Sequence, residues 1–287
     1  MPLLTEALPS LEAYVAFFAS QPLPVLRHTA KALDGFQDDE ERINGKQVAG
    51  VILADPLMTL RLLSHLEANR RSSQNHDITT IDRAVMMMGI APFLRAFADL
   101  PTVESTLAAH PKALLGALKV IGRSRRAAHI ARDWAIVRHD LDVDEITVAT
   151  LLREATEIIC WVFAPALTQR VYDLQRADRT LRSAIAQRQV FGFTAQEIQQ
   201  ALVEAWHLPR LLMDLMDDRH AANPRVRNVV IATNLARHAA HGWDNAALPD
   251  DFRDAQALLH IGLRPLLQRL GVPAEFAETY LAGEEDT

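Results

Sequence analysis

The run LLREATEIICW, residues 151–161, places Arg153, Glu154 and Glu157 among side chains that suit a protein interior. Ionised groups are rarely buried unless paired, because removing them from water is costly. The run is expected to form one helix, and two arrangements of its charges stay open. Arginine and carboxylates pair in a remodelled site, or Arg153 and Glu157 form a surface pair four residues apart on one helix face, worth about 0.3–0.5 kcal/mol.

Other clusters carry less. Arg123, Arg125, Arg126 and Arg132 form the one basic cluster and could hold phosphates. Without interleaved aromatic residues, a solvated helix face is the preferred reading. His238 and His241 have i, i+3 spacing, but no third histidine joins them in sequence, so a surface role is expected. His65 reads as a packed or partly exposed histidine, and His129 and His139 have less support still. Met86–Met88 reads as core plus one exposed methionine. Cys160, the only cysteine, lacks a basic neighbour in sequence and reads as an inert core residue. Neither a glycine-rich phosphate loop nor a Gly-x-Ser-x-Gly elbow occurs.

Bulk properties bound the classes. The 287 residues carry 30 lysines and arginines against 36 aspartates and glutamates, a net charge of −6. Bulk attraction to nucleic acid or anionic lipid is therefore not expected. One cysteine excludes an intrachain disulfide and a cysteine-based zinc cluster. The start, MPLLTEALPSLEAY, has no basic region and contains Glu6 and Glu12, so a signal peptide is not expected. No apolar run approaches the ~20 residues of a membrane helix. A cytoplasmic protein without a membrane partner is expected.

The elements that must position these residues read as helices throughout. Ser10 is an N-cap candidate, Asn44 with Gln47 and Thr194 with Glu197 are capping boxes, and Thr79 with Asp82 shows the same pattern. Asp55-Pro56 and Asn223-Pro224 start helices, and Gly89 stops one. Ile198, Ala201, Leu202, Ala205 and Trp206 form an amphipathic stripe. Without an alternating strand run, the fold class is all-α.

The order of several of these marks resembles the HDOD family. They are Leu23-Pro24, Asp55-Pro56, Leu62-Leu63, Asn69, and Ile78, Ile81 and Ala84 closed by Gly89. Downstream come Gly192-Phe193 and the Trp206-x-Leu208-Pro209 step, followed by VVIATNLARHA. The resemblance implies a helical bundle with an N-terminal extension at 1–19, an HDOD-like domain at 20–240 and a helical tail at 244–287. Within the domain it implies an N-terminal part at 20–105 and an HD-like part at 110–240.

HDOD proteins are relatives of HD metal-dependent phosphohydrolases that lack most metal ligands. By that resemblance, Arg153 and Glu154 stand where hydrolases carry a metal-binding histidine and aspartate, and Glu157 where cyclic-nucleotide relatives carry lysine. Arg123 stands at an earlier ligand histidine, and Thr194 and Ala195 at a third, which leaves His220. Arg123 is expected to face Glu154 or Glu157. The implied function is a non-catalytic regulatory or signalling module, with no cofactor and no metal. Its expected partner is another protein or a small signalling ligand, bound at or near Arg123, Arg153, Glu154, Glu157 and His220. The alternatives are a divergent phosphohydrolase using Glu154, His220 and Asp217 or Asp218, and a nucleic-acid binder using the arginine cluster.

Overall fold

The computed structural model describes residues 2–37, 42–69, 78–178 and 180–285. Among them the chain is helical, with one isolated bridge, Val25 to Thr102, and no strand. The helices are α1 (Leu11–Ser20), α2 (Arg27–Gln37), α3 (Gly45–Leu53), α4 (Pro56–Ala68), α5 (Ile81–Met88) and α6 (Ile90–Ala96). Next come α7 (Val103–Thr106), α8 (Pro111–Val137), α9 (Val143–Leu152), α10 (Ala155–Phe163), α11 (Pro165–Ala177) and α12 (Ser183–Phe191). The chain ends with α13 (Ala195–Ala205), α14 (Arg210–Leu215), α15 (Pro224–Ala239), α16 (Leu248–Leu259), α17 (Leu263–Leu270) and α18 (Ala274–Glu285). No single helix among the described residues is long and apolar enough to cross a membrane.

These residues form two compact units, each discontinuous in sequence. The first comprises Met1–Gly122 and Glu154–Met213, the second Arg123–Arg153 and Asp214–Thr287. In the first, local chemistry sets the helix starts. Asn44 accepts from the Gln47 amide while the Gln47 side chain accepts from the Asn44 amide, and Thr194 and Glu197 do the same for α13. Thr80, not Thr79, precedes α5, and its side chain makes no capping bond. The helix thus begins one residue later than the pattern of Thr79 and Asp82 suggests. Gly89 ends α5 with φ of 77°, a conformation that glycine tolerates readily.

The first unit is tied together by buried polar groups. Asp55 caps α4 and also accepts from the Leu26 amide. The buried Tyr14 hydroxyl accepts from the Leu8 amide and donates to the Phe191 carbonyl at the end of α12, both at 3.0 Å. Its ring lies among Phe18, Phe191 and Phe193. Gly116 of α8 lies flush on the Trp161 indole of α10, with no room for a methyl group.

The second unit is organised on α15, which packs on α9 and α16. Asn223 caps it and Pro224 occupies its first turn. Its buried face includes Ile231, Ala232, Leu235 and Ala239, the stripe the sequence displays. Asn228, fully buried on the same helix, donates to the Ala131 carbonyl at 3.0 Å. Trp134 of α8 is also fully buried in this unit.

Candidate functional site

LLREATEIICW is two helices rather than one. Helix α9 ends at Leu152 and α10 begins at Ala155, with a turn at Arg153 and Glu154 between them. Glu154 leaves helical geometry at φ −104° and ψ 15°, and its carbonyl restarts the ladder by accepting from the Glu157 and Ile158 amides. Arg153 and Glu157 therefore do not share a helix face. Hydrogen bonding nearby eases the break. The Thr156 amide, one of the donors that a helix start leaves unused, reaches the buried Gln199 side chain of α13 at 3.3 Å.

Arg153 belongs to the second unit, and its side chain is 13% exposed. One guanidinium nitrogen donates to the Met216 carbonyl at 2.9 Å, and another pairs with the Asp218 carboxylate. Asp218 opens a short 3-10 turn, Asp218–His220, capped by Asp217. Asp217 accepts from the Arg219 backbone amide at 3.0 Å, and its two oxygens take the Arg219 side chain at 2.7–3.0 Å. Those bonds to Arg219 hold the Asp217 carboxyl below the usual carboxylate range. A depressed folded pKa stabilises the fold above the unfolded value near 4, and the contribution is lost as pH falls through the folded value. His220 is half exposed, with its Nδ1 3.9 Å from Asp217.

Of the residues the sequence singles out, Arg153 and His220 thus gather at one turn of the second unit, with Asp217, Asp218 and Arg219. Arg123 lies in the same unit on α8 and is partly exposed. Glu154 and Glu157 belong to the first unit. Glu154 is 4% exposed at the start of α10, where the helix dipole favours a carboxylate, and Glu157 is partly buried one turn on.

This turn does not fit a divalent metal. A guanidinium has no lone pair to offer, and the Asp217 and Asp218 carboxylates already receive arginine donors. Among the described residues, no three histidine, cysteine, aspartate or glutamate side chains converge as a metal ligand set. Arg153→Ala is expected to cost about 1–2 kcal/mol, since its pair is partly buried, whereas the exposed Arg125→Ala stays within about 0.5 kcal/mol. Urea unfolding of both variants measures the difference, and equal midpoints would remove the Arg153 contacts from the stability account.

Elsewhere, sequence distance hides partners. His238 hydrogen-bonds the buried Asp251 of α16 at 2.6 Å, thirteen positions away, so it is tied into the fold rather than displayed on the surface. His65 lies edge-on to Phe97, and burial, with the nearby Arg61 cation, pushes its pKa down. In the basic cluster, Arg126 stacks over Trp243 at 4.8 Å and Arg132 pairs with Asp144, so both are engaged within the fold. Met86 and Met87 are both exposed and Met88 is partly so, where core plus one exposed methionine was expected. With three consecutive positions on a helix that buries Ile81, Ala84 and Val85, the methionines fall mainly off the core stripe.

Cys160 is buried in α10, and burial, with the Glu157 charge, pushes its thiol pKa far up. In native protein at mildly alkaline pH, iodoacetamide should leave Cys160 unmodified and label it only in denaturant. Mass spectrometry checks this, and rapid native labelling would contradict its burial.

The sequence pattern of the HDOD domain matches residues 23–222. No curated protein matches the chain in sequence. Among solved structures, a virulence factor of Campylobacter jejuni subsp. jejuni superposes with a TM-score of 0.67 at 20% identity, covering 93% of this chain and 98% of the other. The MmoQ response regulator of Methylococcus capsulatus str. Bath gives a TM-score of 0.61 at 17% identity, covering 88% and 98%. At these identities the likeness concerns the fold. With its all-α architecture and a domain match spanning most of its length, the chain belongs to the HDOD domain family.

Proposed function

We propose that this protein is a non-catalytic regulatory module that takes up a partner protein or a small signalling ligand on its helical surfaces. The observation that carries the reading is the state of the Asp217-Asp218 turn. Arg219 donates to both oxygens of the Asp217 carboxylate, and Arg153 pairs with that of Asp218. A metal phosphohydrolase needs such carboxylates to bind its cation and to generate hydroxide. Here guanidinium groups neutralise them, and Arg153 stands where the HD resemblance places a ligand histidine.

The test is hydrolysis of a cyclic dinucleotide by purified protein supplied with manganese or iron. The expected result is no metal-dependent product above the level of a reaction without enzyme. Turnover that depends on added metal and disappears in a His220→Ala variant would establish the phosphohydrolase alternative instead.

A further inference from the structure

Helix α8 presents a solvent-facing stripe within the first unit. At 100° per residue, Lys112, Leu115, Leu118, Lys119 and Gly122 fall within an arc of about 120°. All five are exposed, with Leu115 at 55% and Leu118 at 37%. The opposite side is buried through Ala113, Ala117, Val120 and Ile121. Gly116 seats the helix directly on Trp161, and the half-exposed Tyr172 ring lies edge-on to the same indole. The leucines are therefore held outward on a rigid platform. A Cβ at Gly122 would meet nothing within 4 Å, so the stripe is bare there.

The charges on this stripe have one sign. Lys112 and Lys119 lie along one edge of the apolar strip and have no ion-pair or hydrogen-bond partner among the described residues. No carboxylate falls within the arc. An apolar strip with a cationic edge complements a helix whose apolar side chains are bordered by carboxylates. An antiparallel two-fold pairing with a second copy would set lysine edge against lysine edge. The strip carries two leucines and no aromatic side chain, and is too short to lie in a lipid interface.

We propose that the Lys112–Gly122 face of α8 is the docking surface for an acidic amphipathic helix of a partner protein. The inference rests on the reading of this protein as a binding module, but the two fail separately. Metal-dependent hydrolysis would overturn the functional reading without altering peptide binding.

The probe is a fluorescein-labelled synthetic helix with leucines at i, i+3, i+4 and i+7 and glutamates along its edges, beside a matched peptide with lysines there. Anisotropy titration should show the glutamate peptide binding about tenfold tighter than the lysine peptide. Leu115→Asp with Leu118→Asp should weaken it by about tenfold, and Lys112→Glu with Lys119→Glu should reverse the charge preference. All four positions are exposed, so unchanged melting temperatures will confirm intact folds. Equal binding of both peptides, binding of neither, or indifference to the leucine substitutions would overturn the proposal. So would phosphatidylserine-vesicle binding that Lys112→Glu with Lys119→Glu abolishes, or a dimer that Leu115→Asp dissolves, since these assign the face to lipid or to a second copy.

Discussion

Replacing Asp55 by alanine is expected to cost about 3–4 kcal/mol of stability. The side chain is fully buried and joins two segments of the first unit. One oxygen accepts from the Leu57 and Met58 amides at 3.0 and 3.2 Å, the unused donors at the start of α4. The other accepts from the Leu26 amide at 2.7 Å, 29 residues upstream. Alanine would remove the acceptor for all three, and Leu26, Leu57 and Met58 are themselves buried. Asp55→Asn keeps one oxygen for α4 but turns an NH2 group toward a backbone donor, so an intermediate loss follows. Urea unfolding of both variants orders them. Matching midpoints for wild type and Asp55→Ala would refute the role of this residue as the tie between the two segments.

The second large effect is a contrast of sign within α8. A methyl group at Gly116 would lie 2.6 Å from the Trp161 ring, which is buried and unable to withdraw cheaply. Overpacking of this kind costs about 1–3 kcal/mol, which outweighs the gain of up to about 1 kcal/mol from replacing a helical glycine by alanine. Gly122→Ala meets open space and keeps that gain. Gly116→Ala should therefore lower the melting temperature and Gly122→Ala raise it. Two stabilised variants would show that Gly116 and Trp161 are not in close contact.

Much of the fold was legible because its signals are local. Asn44 with Gln47, Asp55-Pro56, Thr194 with Glu197 and Asn223-Pro224 act within a few residues, and each starts a helix where the sequence says. The break at Arg153 and Glu154 was not legible, because neither proline nor glycine marks it. Its causes lie far along the chain. Asp218 is 65 residues from Arg153, and Gln199 is 43 residues from Thr156. The same distance concealed Asp251 from His238.

The candidate site was readable only through its resemblance to HD hydrolases, which marked Arg153 and His220 as substitutes or survivors of a ligand set. The residues that define the turn around them, Asp217 held by Arg219 and Asp218 held by Arg153, needed the structure. From the sequence the same carboxylates enter only the divergent-phosphohydrolase alternative, since composition does not reveal which donor reaches them.

Guanidinium groups occupy both carboxylates of this turn, Arg219 on Asp217 and Arg153 on Asp218. The measurement that tests whether they leave room for a cation is the manganese and iron content of purified protein after saturation with either ion and removal of the excess, by plasma mass spectrometry. The expected content is far below one ion per chain. One or two ions retained per chain, and lost in a variant carrying Asp217→Ala and His220→Ala, would contradict it.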